Sequence, residues 1–142
     1  MTAAIGTARP RAIVIHGLAQ ARAAAATARA LGVAVRLRSA RGAAAHAGPM
    51  WFRELVEIVR AEYPDVRIEA SLDCADQAGL ALGALRLGIE TIRFDGPPRV
   101  RARIAAIAAA LGAKMDDDGR RALDLAGVPD DRLEAACRDW LG

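Results

Sequence analysis

Alternating apolar and polar positions recur along this chain, each run followed by a longer stretch with helical spacing. Strand-like runs fall at 12–16 (AIVIH), 33–39 (VAVRLRS), 66–73 (VRIEASLD) and 90–95 (ETIRFD). Between and after them, 18–31, 50–62, 76–87 and 98–111 read as helices. Helix 98–111 carries Val100, Ile104, Ile107 and Leu111 on one stripe, with Arg99, Arg101 and Arg103 off it. Pro49 opens helix 50–62, where Trp51, Leu55 and Ile58 share a face that reads as core. The pairs Leu31-Gly32, Leu87-Gly88 and Leu111-Gly112 each close a helical run, since glycine there can take the left-handed conformation that ends a helix. Gly32 and Gly88 are 56 residues apart, two units of 28, and Gly112 follows after 24. That spacing is the period of a βα unit with parallel strands.

The expected fold class is therefore α/β, with four or five parallel strands in βα order, forming a half-barrel like part of a (β/α)8 barrel or a small layered sheet. A fifth strand falls at 113–116 or, instead, around 122–126, and Pro129 with Asp130 and Asp131 starts a C-terminal helix within 129–142. Residues 1–11 read as a flexible N-terminus, and 1–142 as a single domain. Strands buried on both faces are normally continuous apolar runs. Here Ile68, Ala70, Leu72, Ile92 and Phe94 alternate with Arg67, Glu69, Ser71, Asp73, Thr91, Arg93 and Asp95, which predicts one dry face and one polar face.

Composition narrows the function classes. The chain has 142 residues, enough to bury a core without a disulfide or metal staple, and too few for a complete (β/α)8 barrel of about 250 residues. Nineteen of the 20 basic residues are Arg and a quarter of the chain is Ala, the usage of a GC-rich bacterial genome. Residues 1–50 carry seven Arg and no acid, leaving the remainder net negative. A pI near 9.5 raises nucleic acid as a partner. With 4% aromatics, one Lys and no nucleic-acid motif, the expectation is no nucleic-acid partner. Cys74 and Cys137 form no CxxC and read as reduced thiols of a cytoplasmic protein. Arg22 and Arg29 interrupt the Ala-rich stretch 19–31, so no membrane span or membrane partner is expected.

The strand ends hold the candidate chemistry, because βα proteins build their sites at the C-terminal edge of the sheet. Asp73, Asp76 and Asp95 sit there, and a carboxylate pair could serve as acid and base. The competing reading makes Asp76 a helix cap and Asp73 and Asp95 turn residues. His16 ends the first strand as a proton shuttle, ligand or turn residue. Arg67 and Arg93, with the strand-end aspartates, could hold a small anion. Arg99, Arg101 and Arg103 could hold a phosphate or simply form a solvated helix face. Asp116-Asp117-Asp118 reads as a solvated acidic loop rather than a cation site. One Cys and two scattered His make no zinc spacing, so neither metal nor another cofactor is expected.

The segment LDCADQAGLALGALRLGIETIRFDG (72–96) resembles the central stretch of class II fructose-bisphosphate aldolases. Aligned without gaps, Asp73 falls on that family's catalytic Asp and Gly88 on its helix-ending Gly. Thr91 falls on a small hydroxyl residue, and Asp95-Gly96 on the end of the next strand. VAVRLRSARGAAAHAG (33–48) is similar to the family's strand ending in Ser-x-Gly, with Ser39 and Gly42 on the shared positions. Residues 12–31 are similar to its first βα unit, with a shorter turn after His16. The resemblance covers about 12–115 and rests on collinear order and spacing.

What it implies is an aldolase-type half-barrel kept as a small protein. The family binds a divalent metal through three His; Cys74 stands at the first of these positions, and the other two, with the phosphate loops, belong to a half this chain does not contain. The chain also runs from Asp95-Gly96 straight into Pro97-Pro98, lacking the family's longer loop. The alignment turns Arg36 and Arg38 toward the helices. That requires an edge strand, a different register, or heads that reach water. The functional expectation is an assembly, accessory or regulatory protein without aldolase activity. The alternatives are a small-anion or phosphosugar-binding module and a lyase or isomerase completed across a dimer. Two open sheet edges predict a homo-oligomer, most simply a twofold dimer, with Arg67 and Arg93 meeting Glu69 and Asp95 across the axis.

Overall fold

The structure is a computed structural model that describes residues 9–142. Its elements follow the βα order read from the sequence. They are β1 (Arg11–Ile15), α1 (Leu18–Leu31), β2 (Val35–Ser39), the short α2 (Ala43–His46), α3 (Pro49–Glu62), β3 (Ile68–Asp73), α4 (Ala78–Arg86), β4 (Thr91–Arg93), α5 (Pro98–Ala110), β5 (Lys114–Met115), β6 (Leu123–Asp124) and, after a 3-10 turn at Asp130–Arg132, α6 (Leu133–Leu141). The six strands form one parallel sheet in the order β5-β4-β3-β2-β1-β6. The expected count of four or five is one short, because both candidate positions for the last strand are used. Each is two residues long, below what alternation can reveal, and pairing alone makes it a strand. Of the expected flexible N-terminus 1–11, residues 1–8 lie outside the described residues, while Arg11 already belongs to β1.

The chain divides into two compact units. In the first, described here over 9–38, 55–69 and 121–142, α1 packs against α6. The small side chains Ala21, Ala24, Ala25 and Ala28 are fully buried and let the helices approach, with Leu133 and Cys137 buried on the other side. Trp140 anchors the C-terminus: its indole N–H donates to the Ala12 carbonyl at 3.1 Å, and the Arg11 guanidinium stacks 5.0 Å from its ring. Arg36 lies beside Glu69 at 2.6 Å, because the Val35 N–H donates to the Arg67 carbonyl and so fixes this register. The head of Arg36 thus meets a carboxylate on a neighbouring strand, while Arg38 is buried at 6% exposure.

The second unit comprises 39–54 and 70–120. Leu72, Ile92, Phe94, Ile104 and Ala108 form its core with Ala81, Ala84 and Leu85 of α4. Gly88 and Gly112 take positive φ, 84° and 75°, as the Leu-Gly pairs predict, and so does Gly32, at 68°, in the first unit.

Three packing expectations are corrected. On α3 the buried residues are Phe52, Leu55, Val56 and Val59, while Ile58 is 40% exposed; with Leu55 the sequence permitted two adjacent stripes, and packing took the one containing Phe52. On α5, Ile104 is buried but Ile107 and Leu111 are 42% and 57% exposed, so the far end of the stripe is uncovered. The polar face of β3 is not solvated: Ser71 is 0% and Asp73 8% exposed. Among the described residues no helix is long and apolar enough to cross a membrane.

Candidate functional site

In the second unit β3 and β4 end on charged residues and β5 is followed directly by one, and the register aligns the three. Asp73 of β3 stands opposite Arg93 of β4. Ile92 stands opposite Met115 of β5, so the next residue, Asp116, follows beside Arg93, with its N–H donating to the Ile92 carbonyl at 2.8 Å. Parallel strands point paired residues to the same face. Arg93 therefore stands between two carboxylates, with Nε 3.7 Å from Asp73 Oδ2 and Nη1 3.2 Å from Asp116 Oδ1. The same Nη1 donates to the Asp118 carbonyl at 2.9 Å.

Asp73 is more than a partner for arginine. Its Oδ1 accepts the N–H of Gly42 at 3.1 Å and of Ala75 at 2.8 Å, and its own N–H donates to Ser39 Oγ at 2.9 Å. One carboxylate thus ties the loop after β2 to the turn after β3. In that turn Ala75 adopts φ 52°, a left-handed conformation unusual for a residue with a Cβ, and its carbonyl accepts the Asp95 N–H at 2.9 Å. Strain of this kind persists only where surrounding bonds determine it, and it clusters at functional sites.

The acidic segment after β5 is folded rather than solvated. Asp116 and Asp118 are 5% and 3% exposed. Asp116 Oδ1 accepts the Asp118 N–H at 3.1 Å, and the Asp118 carboxylate binds Arg120 through Nε and Nη2, the latter at 2.7 Å. That hydrogen-bonded carboxylate raises the Arg120 pKa. Asp95 accepts both Nε and Nη2 of Arg41 at 2.8 and 2.9 Å, which holds its carboxyl below the usual range. A cavity of about 290 Å³ opens over this row, lined by Asp73, Arg93, Phe94, Asp95, Arg101 and residues 116–119. The Phe94 ring lies so close to Gly96 that a Cβ there would overlap it.

No family profile and no curated protein matches the chain by sequence. In fold, the chain is similar to a solved structure, the "putative fructose-1,6-biphosphate aldolase" from Coccidioides immitis, with a TM-score of 0.65 and 20% identity over 75% of this chain. The fold is aldolase-like. The match spans only 44% of that protein's length, consistent with the half-barrel implied by the resemblance over 12–115.

The metal of class II aldolases does not fit this aldolase-like frame. At the position that the resemblance gives the first ligand, Cys74 is 0% exposed, with Sγ 3.9 Å from the Leu72 carbonyl, and burial, reinforced by the neighbouring Asp73 charge, pushes its thiol pKa up to about 12. Among the described residues no group of three His, Cys, Asp or Glu is arranged to hold a metal ion.

Of the residues singled out from sequence, Ser39, Asp73, Asp76, Arg93 and Asp95 belong to this unit; His16 and Arg67 belong to the other. Asp76 is exposed and caps nothing: Gln77 is the N-cap of α4, and no side chain bonds that helix start. His16 Nε2 lies 2.7 Å from Asp124 Oδ1. Partial burial opposes ionisation of Asp124, but the bonds from His16 and the Ala126 N–H outweigh it and keep its pKa low. Arg67, just ahead of β3, pairs with Glu69 of that strand. The charges expected to meet across a twofold axis are thus engaged within the chain. The sequence leaves Arg101 open between a phosphate contact and a solvated helix face, and reads Asp116 and Asp118 as solvated. The signal for the other reading of Asp116 is that it ends the candidate strand 113–116, as Asp95 ends the run 90–95.

Proposed function

We propose that this protein does not cleave ketose bisphosphates and works as an accessory or regulatory protein, its strand-end site holding a small polar ligand without turning it over. The observation that supports this most is the use made of Asp73. The residue aligned with the catalytic Asp of aldolases spends one oxygen on two backbone N–H groups and turns the other toward Arg93. It braces two loops, and Cys74 beside it offers no metal ligand. Aldol cleavage in that class depends on a metal to stabilise the enediolate.

The test is incubation of purified protein with fructose 1,6-bisphosphate, with and without added Zn2+ or Co2+, following triose phosphate release. No release above the protein-free control is expected. Metal-dependent release would overturn the reading.

We also infer a homodimer. Ile107 on α5 and Leu111 at its C-cap are among the exposed large apolar side chains, and β5 forms an edge of the sheet. Light scattering at micromolar concentration should give about twice 14.9 kDa; a mass of 14.9 kDa independent of concentration would refute it.

A further inference from the structure

We propose that the cavity over β3, β4 and β5 binds a small polyhydroxylated monocarboxylate, a sugar acid of about six carbons, with its carboxylate on Arg101 and its hydroxyls on Asp73 and its neighbours. This rests on the reading above that the site holds a ligand rather than cleaving one. The cavity's about 290 Å³ lies at the small end of ligand sites. Asp73, Asp116 and Asp118 on the floor are buried, which is costly for a charge unless it is paired, while Asp95 stands exposed at the rim. Asp73 and Asp116 share Arg93, Asp118 holds Arg120 and Asp95 holds Arg41.

Two capacities remain open. Arg101, half-buried on the first turn of α5, lines the cavity, and among the described residues its guanidinium makes no ion pair or hydrogen bond. It is the natural seat for an anion, and its planar fork matches a carboxylate. Asp73 Oδ2 has only the 3.7 Å approach of Arg93, so a carboxylate oxygen with acceptor capacity faces a site whose charge is already balanced there. A hydroxyl donor satisfies it without adding charge.

The charge of the ligand follows from the rest of the lining. Five of the lining side chains are Asp and two are Arg, and Arg41 and Arg120 pair with two of the five, so the row keeps a single net negative charge. A phosphate dianion on Arg101 would add two charges of the same sign as that net charge, whereas a single carboxylate adds one and halves the repulsion. A neutral polyol would leave Arg101 unused, and an unadorned fatty acid would leave the aspartate floor without donors.

The experiment is calorimetric titration of the intact protein with D-gluconate, sorbitol, hexanoate and fructose 1,6-bisphosphate, repeated on Arg101→Gln and on Arg99→Gln, an exposed neighbour outside the lining. Gluconate should bind at least about tenfold more tightly than the other three. Arg101→Gln should lose about tenfold or more, and Arg99→Gln should match the parent. Absence of gluconate binding up to about 10 mM, equal binding to Arg101→Gln, or tighter binding of the bisphosphate would each overturn the proposal. Cleavage of the bisphosphate would show as product and would refute the non-catalytic reading separately, whatever the gluconate result.

Discussion

Replacing Asp73 with Ala removes the acceptor for two backbone N–H groups, those of Gly42 and Ala75. Both residues are buried, at positions where the loops have no water to turn to. Leaving a buried donor unpaired costs about 1–3 kcal/mol, so the pair of losses should destabilise by roughly 2–5 kcal/mol. Arg93 loses one carboxylate but retains Asp116 at 3.2 Å, which limits the electrostatic part. Asp73→Asn separates the bonds from the charge. Its amide oxygen can still accept both N–H groups, and the expected cost is about 1 kcal/mol. Urea unfolding followed by circular dichroism measures both, provided the slope with denaturant is unchanged, so that midpoint shifts report stability. An Ala variant within about 1 kcal/mol of the parent would refute the bracing role. So would an Asn variant as damaged as the Ala one. A clear gain in stability for Asn would instead mark a carboxylate retained at a cost for function.

Gly96→Ala should cost about 1–3 kcal/mol, because the new Cβ would overlap the Phe94 ring and lie 2.8 Å from its Cε2. Adding Phe94→Leu should recover part of that loss in a double-mutant cycle, and strict additivity would show that the ring is not the obstacle. Glu69 supplies a pH dependence. Partial burial opposes its ionisation, but Arg36 and Arg67 outweigh that and hold its carboxyl below 4.5. The folded pKa is then below the unfolded one, so the pair stabilises above about pH 4.5 and the contribution fades as pH falls through the folded value. Arg36→Gln should be less stable than the parent at pH 7, and the gap should narrow toward pH 3; a constant gap would remove the pair as its cause.

The order of strands and helices was legible from the chain because each element carries its own period, and because Gly32, Gly88 and Gly112 end helices in a conformation glycine adopts most readily. The strand ends carrying Asp73 and Arg93 were legible for the same local reason. β5 and β6, two residues each, exist only through pairing with β4 and β1, and no window of sequence contains that partner. The choice between adjacent stripes on α3 likewise depends on what lies opposite: it buried Phe52 and left Ile58 out. The aspartates after β5 are the sharpest case. Three consecutive acids read as solvated, because charge alone favours water. Arg93 and Arg120 come from a neighbouring strand and the following turn to neutralise two of them, and burial becomes affordable only once both are in place. Sequence periodicity therefore determined the elements and their order. Which charges are buried, and so where the site lies, depended on partners that only the folded chain brings within reach.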